Sequence, residues 1–272
     1  MFVAGLDLGS ATAKAVIMRD GEIAGAHVTP SNAHPQETAK RAMEAALQEA
    51  GLGSIEDIAY VVTTGYGRRK IPYAGENVSE LTCHAKGAHW ASDTIRTVID
   101  IGGQDCKVIN VTPKGKVGEF AMNDRCAAGT GRFFEGIARG LGCELDGISD
   151  LANQGEDPCN ITNQCSVFAE SEVVTLLNEG TDIRNIISGI NISVAKRLKA
   201  MATRVGIVED LALTGGCSKN DGLVKAIRDL INIDVKRLPL DPQIIGAVGA
   251  ALIATEEVEK SGKTAGTKTA AG

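Results

Sequence analysis

The sequence predicts an α/β protein assembled from two similar halves, and three features of the chain predict it. An aspartate–x–glycine turn with a lysine seven residues after the aspartate occurs twice, each time at the end of an apolar run and each time followed by two strand-like runs. Such a recurrence, in register over three strands, is the mark of a duplicated domain. Composition agrees: 43% hydrophobic residues can fill real cores, while 3% aromatics and 32 glycines suit an α/β protein with tight turns. A chain of 272 residues is long for one small domain and suits two packed halves.

Taken in order, the first half begins with Gly5-Leu6-Asp7-Leu8-Gly9-Ser10-Ala11-Thr12-Ala13-Lys14 and continues through Ala15-Val16-Ile17-Met18, a turn at Asp20-Gly21, and Glu22-Ile23-Ala24-Gly25-Ala26. These are three strands near 2–28. Ala39, Met43, Ala46, Leu47 and Ala50 share one face of an amphipathic helix over about 35–51, which Gly51-Leu52-Gly53 stops. Ile58-Ala59-Tyr60-Val61-Val62 is a fourth strand ending in Thr63-Thr64-Gly65-Tyr66-Gly67, so the half reads βββαβ.

The second half repeats the three strands near 96–122, from Asp100-Ile101-Gly102-Gly103-Gln104-Asp105-Cys106-Lys107 through Val108-Ile109-Asn110-Val111, a turn at Pro113-Lys114-Gly115, and Lys116-Val117-Gly118-Glu119-Phe120. It then departs from the first. A largely helical block is inserted between Asn123 and about Asp210, before a strand at Leu211-Ala212-Leu213-Thr214, a helix near 219–231 and a last helix near 243–256. The expected division is 1–94 and 95–256, with specialised function in the insertion. Residues 257–272 are small, polar and aperiodic at their end, the composition of a disordered tail.

A net charge of −6 offers nothing to nucleic acid or an anionic membrane. No run approaches the roughly 18 apolar residues that span a bilayer, and no basic region precedes the first strand, so a soluble cytoplasmic protein is expected. Seven cysteines without a secretion signal point to reduced thiols. None falls in a C-x-x-C pair, which argues against a self-contained zinc knuckle or ferredoxin-type site.

Glycines at strand ends let backbone N–H groups approach phosphate oxygens with no Cβ in the way. Ser10, Thr12 and Lys14 add donors, while Asp7 and Asp100 suit Mg²⁺, its waters, or the positioning of an attacking water. Two facing turns of this kind would make a cleft for a polyphosphate. Leu213-Thr214-Gly215-Gly216-Cys217-Ser218-Lys219-Asn220 supplies a third glycine turn where an adenine or ribose could lie against the backbone; its plainer reading is a strand-to-helix turn capped by Asn220.

In this order the three turns resemble the phosphate-1, phosphate-2 and adenosine motifs of the acetate and sugar kinase, heat-shock cognate and actin superfamily. That resemblance covers nearly the whole chain and implies two RNase H-like (actin-like ATPase) domains closing over Mg-ATP. It assigns nucleotide contacts to Gly9, Ser10, Ala11, Thr12, Ala13, Lys14, Gly102, Gly103, Gly215, Gly216 and Asn220, and the chemistry to Asp7, Asp100, Gln104 and Asp105. Lys107 stands where chaperone-type relatives carry an acidic residue, leaving Asp105 as the alternative Mg²⁺ ligand. The superfamily alone does not separate kinases, chaperones and activators.

Within the insertion, Cys126 precedes a helix whose Phe133, Phe134, Ile137, Ala138 and Leu141 form one stripe, and Cys165 precedes another apolar helix. Both cysteines would sit at helix N-termini, where the dipole favours a thiolate or an anionic iron–sulfur cluster; buried, inert thiols are the alternative. The segments V-I-D-I-G-G-Q-D, M-N-D-R-C-A-A-G-T-G-R-F and C-S-V-F-A-E-S-E-V resemble the ATP-dependent activators of 2-hydroxyacyl-CoA dehydratases, relatives of the ATP-binding subunits of benzoyl-CoA reductase.

In that family the residues matching Cys126 and Cys165 ligate one [4Fe–4S] cluster shared by two identical subunits, and positions matching Glu135 and Gln243 contact nucleotide. The resemblance therefore implies a homodimer that takes an electron from ferredoxin or flavodoxin and passes it, with ATP turned to ADP, to a partner iron–sulfur dehydratase, a benzoyl-CoA reductase or a double-cubane cluster reductase. Cys83, Cys106, Cys143, Cys159 and Cys217 have no matching role and are expected to be structural. His84 and His89 lie off the metal spacing, which favours core or surface roles. A small-molecule kinase of the same fold and a nucleotide-gated protein with inert cysteines are the rival functions.

Overall fold

A computed structural model describes residues 1–123, 126–162 and 165–262. Strand β1 (Phe2–Leu8) is followed by β2 (Thr12–Arg19), β3 (Glu22–Pro30), helix α1 (Pro35–Glu49), β4 (Val61–Thr64), β5 (Glu76–Asn77) and α2 (Glu80–Ala91). Then come β6 (Thr97–Ile101), β7 (Cys106–Val111), β8 (Val117–Asn123), α3 (Gly131–Leu141), α4 (Ile148–Asn153), α5 (Ser166–Asn178) and α6 (Ile183–Val205). The chain ends with β9 (Leu211–Thr214), α7 (Asp221–Ile231), β10 (Val235–Lys236) and α8 (Ile245–Lys260).

The two sheets share one plan. The first has the order β3-β2-β1-β4-β5, and the second, β10-β9-β6-β7-β8, is the same order read from its other edge. In each, the first three strands are antiparallel and the fourth joins the first in parallel. A register shift even recurs, between Ile17 and Met18 in one sheet and between Ile109 and Val111 in the other. A bulge changes the twist of the strand that carries it, so a duplicated bulge keeps both hairpins similarly curved.

Two compact units divide the chain: Met1–Cys83 with the segment from Gly246, and His84–Ile245. The boundary expected after residue 94 falls instead inside α2, a helix the strand and turn pattern does not foretell. The last helix, expected with the second half, packs in the first. Gly5 on β1 has no Cβ because the carbonyl of Ala247 and the N–H of Ala251 on α8 occupy that space. With α1 on the opposite face, β1 is buried on both sides, which is why its residues are apolar without alternation. Helix α8 also continues to Lys260, into the segment read as tail; residues 263–272 lie outside the described residues.

In the second unit α3, α5, α6 and α7 contribute to one core with β6, β7 and β9. Phe133, Phe134, Ile137, Ala138 and Leu141 are buried as their spacing predicts. Helix α5 differs, burying Ala169 and Val173 while Val167, Phe168, Val174 and Leu177 stay exposed. Among the described residues no helix is long and apolar enough to cross a membrane.

Candidate functional site

Each unit carries a polar station at the end of its central strand. In the first, register sets Asp7 opposite Lys14 on β2 and beside Thr64 on β4. Asp7 is buried, and Lys14 Nζ lies 3.3 Å from its Oδ2 while also donating to the Thr12 carbonyl at 3.3 Å. The turn between them is tied down by its carbonyls: Ser31 Oγ donates to Gly9 O at 2.8 Å and Ser31 N to Ala11 O at 2.9 Å. Ala13 is fully buried between β1 and β3, so neither its methyl group nor its backbone is exposed to a ligand.

The second station repeats the register. Asp100 faces Lys107 on β7 and lies beside Thr214 on β9. After each fourth strand comes a glycine at φ +85°, Gly65 and Gly215. A Cβ at Gly65 would lie 2.6 Å from Asp7 Oδ1, and one at Gly215 would lie 2.9 Å from Asp100 Oδ1. Left-handed backbone and lack of room both demand glycine there.

The electrostatics of the second station are tighter. Lys107 is 2% exposed, with Nζ 2.7 Å from Asp105 Oδ2 and 3.2 Å from Asp100 Oδ2. Thr214 Oγ1 donates to Asp100 Oδ1 at 2.8 Å. Burial pushes the Asp100 carboxyl up, but neighbouring His84 and Lys107 and the hydrogen bonds from Thr214 and Lys107 outweigh it and hold the group well below the usual carboxylate range. Asp105, the alternative Mg²⁺ ligand, is thus partnered by the very lysine that stands in place of the acidic residue.

Around this station the second unit gathers glycine backbone. Gly131 N, at the start of α3, donates to Gly102 O at 2.9 Å, and Arg132 N donates to Gly103 O at 2.9 Å. A Cβ on Gly131 would lie 3.3 Å from Gly103 Cα and 3.7 Å from Cys217 Sγ, so the second and third glycine turns meet at the foot of α3. Gln243 enters the same surroundings: Lys219 Nζ donates to its Oε1 at 2.7 Å, and its Nε2 would lie 3.3 Å from a Cβ on Gly216. Glu135 is ion-paired to Arg132 at 2.6 Å, and Gln104 is exposed. Asn220 caps α7, accepting from Leu223 N at 3.1 Å and donating to Asn191 Oδ1 at 3.0 Å; its amide is engaged in the fold.

The cysteines separate into two groups. Burial pushes the thiols of Cys83 and Cys217 up to about 12, that of Cys106 well above its ordinary value, and those of Cys143 and Cys159 upward. Cys126 goes the other way: its partial burial raises it, but a hydrogen bond from the Ala128 backbone and one from Arg197 bring it below the ordinary value. Cys165 is exposed and is the N-cap residue of α5, as expected. Cys126 is not at a helix terminus. It lies in a loop five residues ahead of Gly131, where Asn123 Nδ2 donates to its carbonyl at 3.1 Å and Arg197 Nη1 on α6 reaches its Sγ at 3.3 Å and Ala128 O at 3.4 Å.

Arg197 and His84 are the residues that pattern reading misses. Arg197 lies on a helix many residues away in sequence, with no local signal. His84 is buried against Asp100, with Nδ1 3.5 Å from Asp100 Oδ1. Among the described residues no group of three or more His, Cys, Asp and Glu is placed to hold a metal ion.

Two units of one sheet plan, each with an aspartate–glycine turn at its central strand, define an actin-like ATPase fold. The chain belongs to the BadF/BadG/BcrA/BcrD ATPase family, whose model matches residues 4–254. It is 46% identical over 264 residues to the activator of lactoyl-CoA dehydratase from Anaerotignum propionicum, covering 96% of this chain and 100% of that one. Component A of the (R)-2-hydroxyglutaryl-CoA dehydratase of Acidaminococcus fermentans superposes with a TM-score of 0.91 at 40% identity, over 95% of this chain and 99% of that one. The activator of the 2-hydroxyisocaproyl-CoA dehydratase from Clostridium difficile, solved with bound ADPNP, also superposes at 0.91, with 38% identity over 99% and 100% of the two chains.

Proposed function

We propose that this protein is an ATP-hydrolysing activator that delivers a low-potential electron to a partner dehydratase acting on 2-hydroxyacyl-CoA substrates. The observation that carries this reading is the pair of hydrogen bonds from Gly131 and Arg132 to Gly102 and Gly103. They join the second phosphate turn to the foot of α3, five residues after Cys126, and so tie that turn to the segment that carries the thiol. The full-length likeness to activators named for such dehydratases supports the same reading. A benzoyl-CoA reductase or related reductase as recipient is the alternative that the same fold admits, and one of the benzoyl-CoA reductase subunits of Thauera aromatica is 34% identical to this chain.

In this reading the first unit's Lys14 and the amides after Gly9 are suited to nucleotide phosphates and their Mg²⁺, and the second unit's Asp100 is suited to set the water for hydrolysis. Cys126 and Cys165, the first with a lowered pKa and the second exposed, are the thiols suited to an iron–sulfur group; the other five, whose thiols are all pushed upward, are not. When bound between two copies, a [4Fe–4S] cluster supplies one electron at low potential. Val167 and Phe168, 65% and 63% exposed beside Cys165, offer apolar surface for a second copy to cover. Arg197 places a positive charge on the Cys126 sulfur. Ferredoxin or flavodoxin is the donor, in a cytoplasm that keeps thiols reduced.

Anaerobic purification tests the reading. About four irons and four sulfides per dimer are expected, lost on Cys126→Ser or Cys165→Ser with ATP hydrolysis retained. A metal-free monomer that hydrolyses ATP would overturn the electron-transfer function.

A further inference from the structure

We propose that His84 is a positioning residue for ATP hydrolysis, holding the Asp100 carboxylate in one orientation through the hydroxyl of Thr214. The proposal rests on the reading of Asp100 as the group that sets the attacking water. His84 is 5% exposed on α2, and its Nδ1 lies 3.2 Å from Thr214 Oγ1. Thr214, itself fully buried, donates its single hydroxyl proton to Asp100 Oδ1 at 2.8 Å. That proton being committed, Thr214 Oγ1 can only accept from the ring, so Nδ1 carries the hydrogen. The result is a directed chain: His84 Nδ1–H to Thr214 Oγ1–H to Asp100 Oδ1, with Lys107 on the other carboxylate oxygen at 3.2 Å.

The first unit supplies an internal contrast. Thr64 holds the register position beside Asp7 that Thr214 holds beside Asp100. Yet the Thr64 hydroxyl donates to the carbonyl of Val78 at 2.9 Å, not to a carboxylate. A threonine hydroxyl can turn either way; in the second unit the imidazole occupies the accepting side and directs the proton to Asp100. Both oxygens of Asp100 are thereby fixed, one by Thr214 and one by Lys107. A carboxylate that must aim a water gains from losing this freedom, since misplacement by about 1 Å can cost a hundredfold in rate.

The test uses atom position within the side chain. Asparagine places an amide nitrogen where imidazole has Nδ1, whereas glutamine places it where imidazole has Nε2. His84→Asn is expected to keep the kcat for ATP hydrolysis within about threefold, and His84→Gln to lower it about a hundredfold with KM for ATP within about twofold. Thr214→Val should lower kcat as His84→Gln does, and the double variant should be no worse than either, because both break one chain.

Equal kcat for the asparagine and glutamine variants, a change confined to KM, or additive losses in the double variant would overturn the proposal. Asp100→Asn separates the two layers: if it hydrolyses ATP as fast as the wild type, the role given to Asp100 fails first. Thermal melting of each variant checks the fold. Should His84→Gln not fold, the comparison of Thr214→Val with Thr214→Ser decides, the serine keeping the hydroxyl and being expected to retain the rate.

Discussion

The station at Asp7 and the station at Asp100 share one backbone plan and do different work. Both pair an aspartate with a lysine across the hairpin and place a threonine beside it on the parallel strand, ahead of a left-handed glycine. At the first, the lysine has one carboxylate neighbour and a side chain 12% exposed. At the second, Lys107 is shut between two carboxylates and has no freedom to follow a ligand. A backbone plan can therefore be kept while a single added carboxylate, Asp105, encloses the lysine of the second station between two acidic partners.

Removing the lysines should break the symmetry most visibly. Lys107→Met leaves Asp100 and Asp105 buried without an ammonium, and the loss of one partner of a buried pair costs about 3–5 kcal/mol. Lys14→Met should cost about 1 kcal/mol while weakening ATP binding. Urea unfolding and nucleotide titration would read both; equal stability losses would show that the two lysines are not divided as described.

The glycines should instead behave alike. Gly65→Ala and Gly215→Ala each force a side chain into left-handed backbone against a carbonyl and an aspartate, for about 2 kcal/mol apiece, measurable as matched falls in denaturation midpoint. A smaller effect sharpens the second station alone. Its depressed Asp100 pKa contributes stability that is fully present above the ordinary value of 3.8 and is lost as pH falls below it toward the folded pKa. The stability gap between wild type and Asp100→Asn should narrow in that acid window; a gap constant down to about pH 2 would mean that the carboxylate is not stabilised by its partners.

Much of this is legible in the chain because it is local. Apolar runs, the Asp-Gly turns and the α3 stripe depend on neighbours within a few residues, so β1 to β3, β6 to β9 and α3 can be read nearly to their ends. The helix terminus that the α3 stripe suggests for Cys126 is not where the thiol lies: Gly129 at φ +90° and Thr130 intervene, and the Thr130 hydroxyl donates back to the Ala127 carbonyl and does not cap the helix. The spacing of His84 speaks only against a metal. Its meaning depends on Thr214 and Asp100, which sequence distance conceals.

By itself the sequence determined the duplicated sheets, the three glycine turns, the family and the two cysteines set apart from the other five. Those follow from short-range patterns and from motif spacing. Only the tertiary structure decided that α8 closes the first unit, that Lys107 is neutralised by two aspartates, that Arg197 meets the Cys126 sulfur, and that His84 directs a hydroxyl at Asp100. Each of these is a contact between residues far apart in the chain, fixed by packing and by the need of buried polar groups for partners, and no local pattern encodes it.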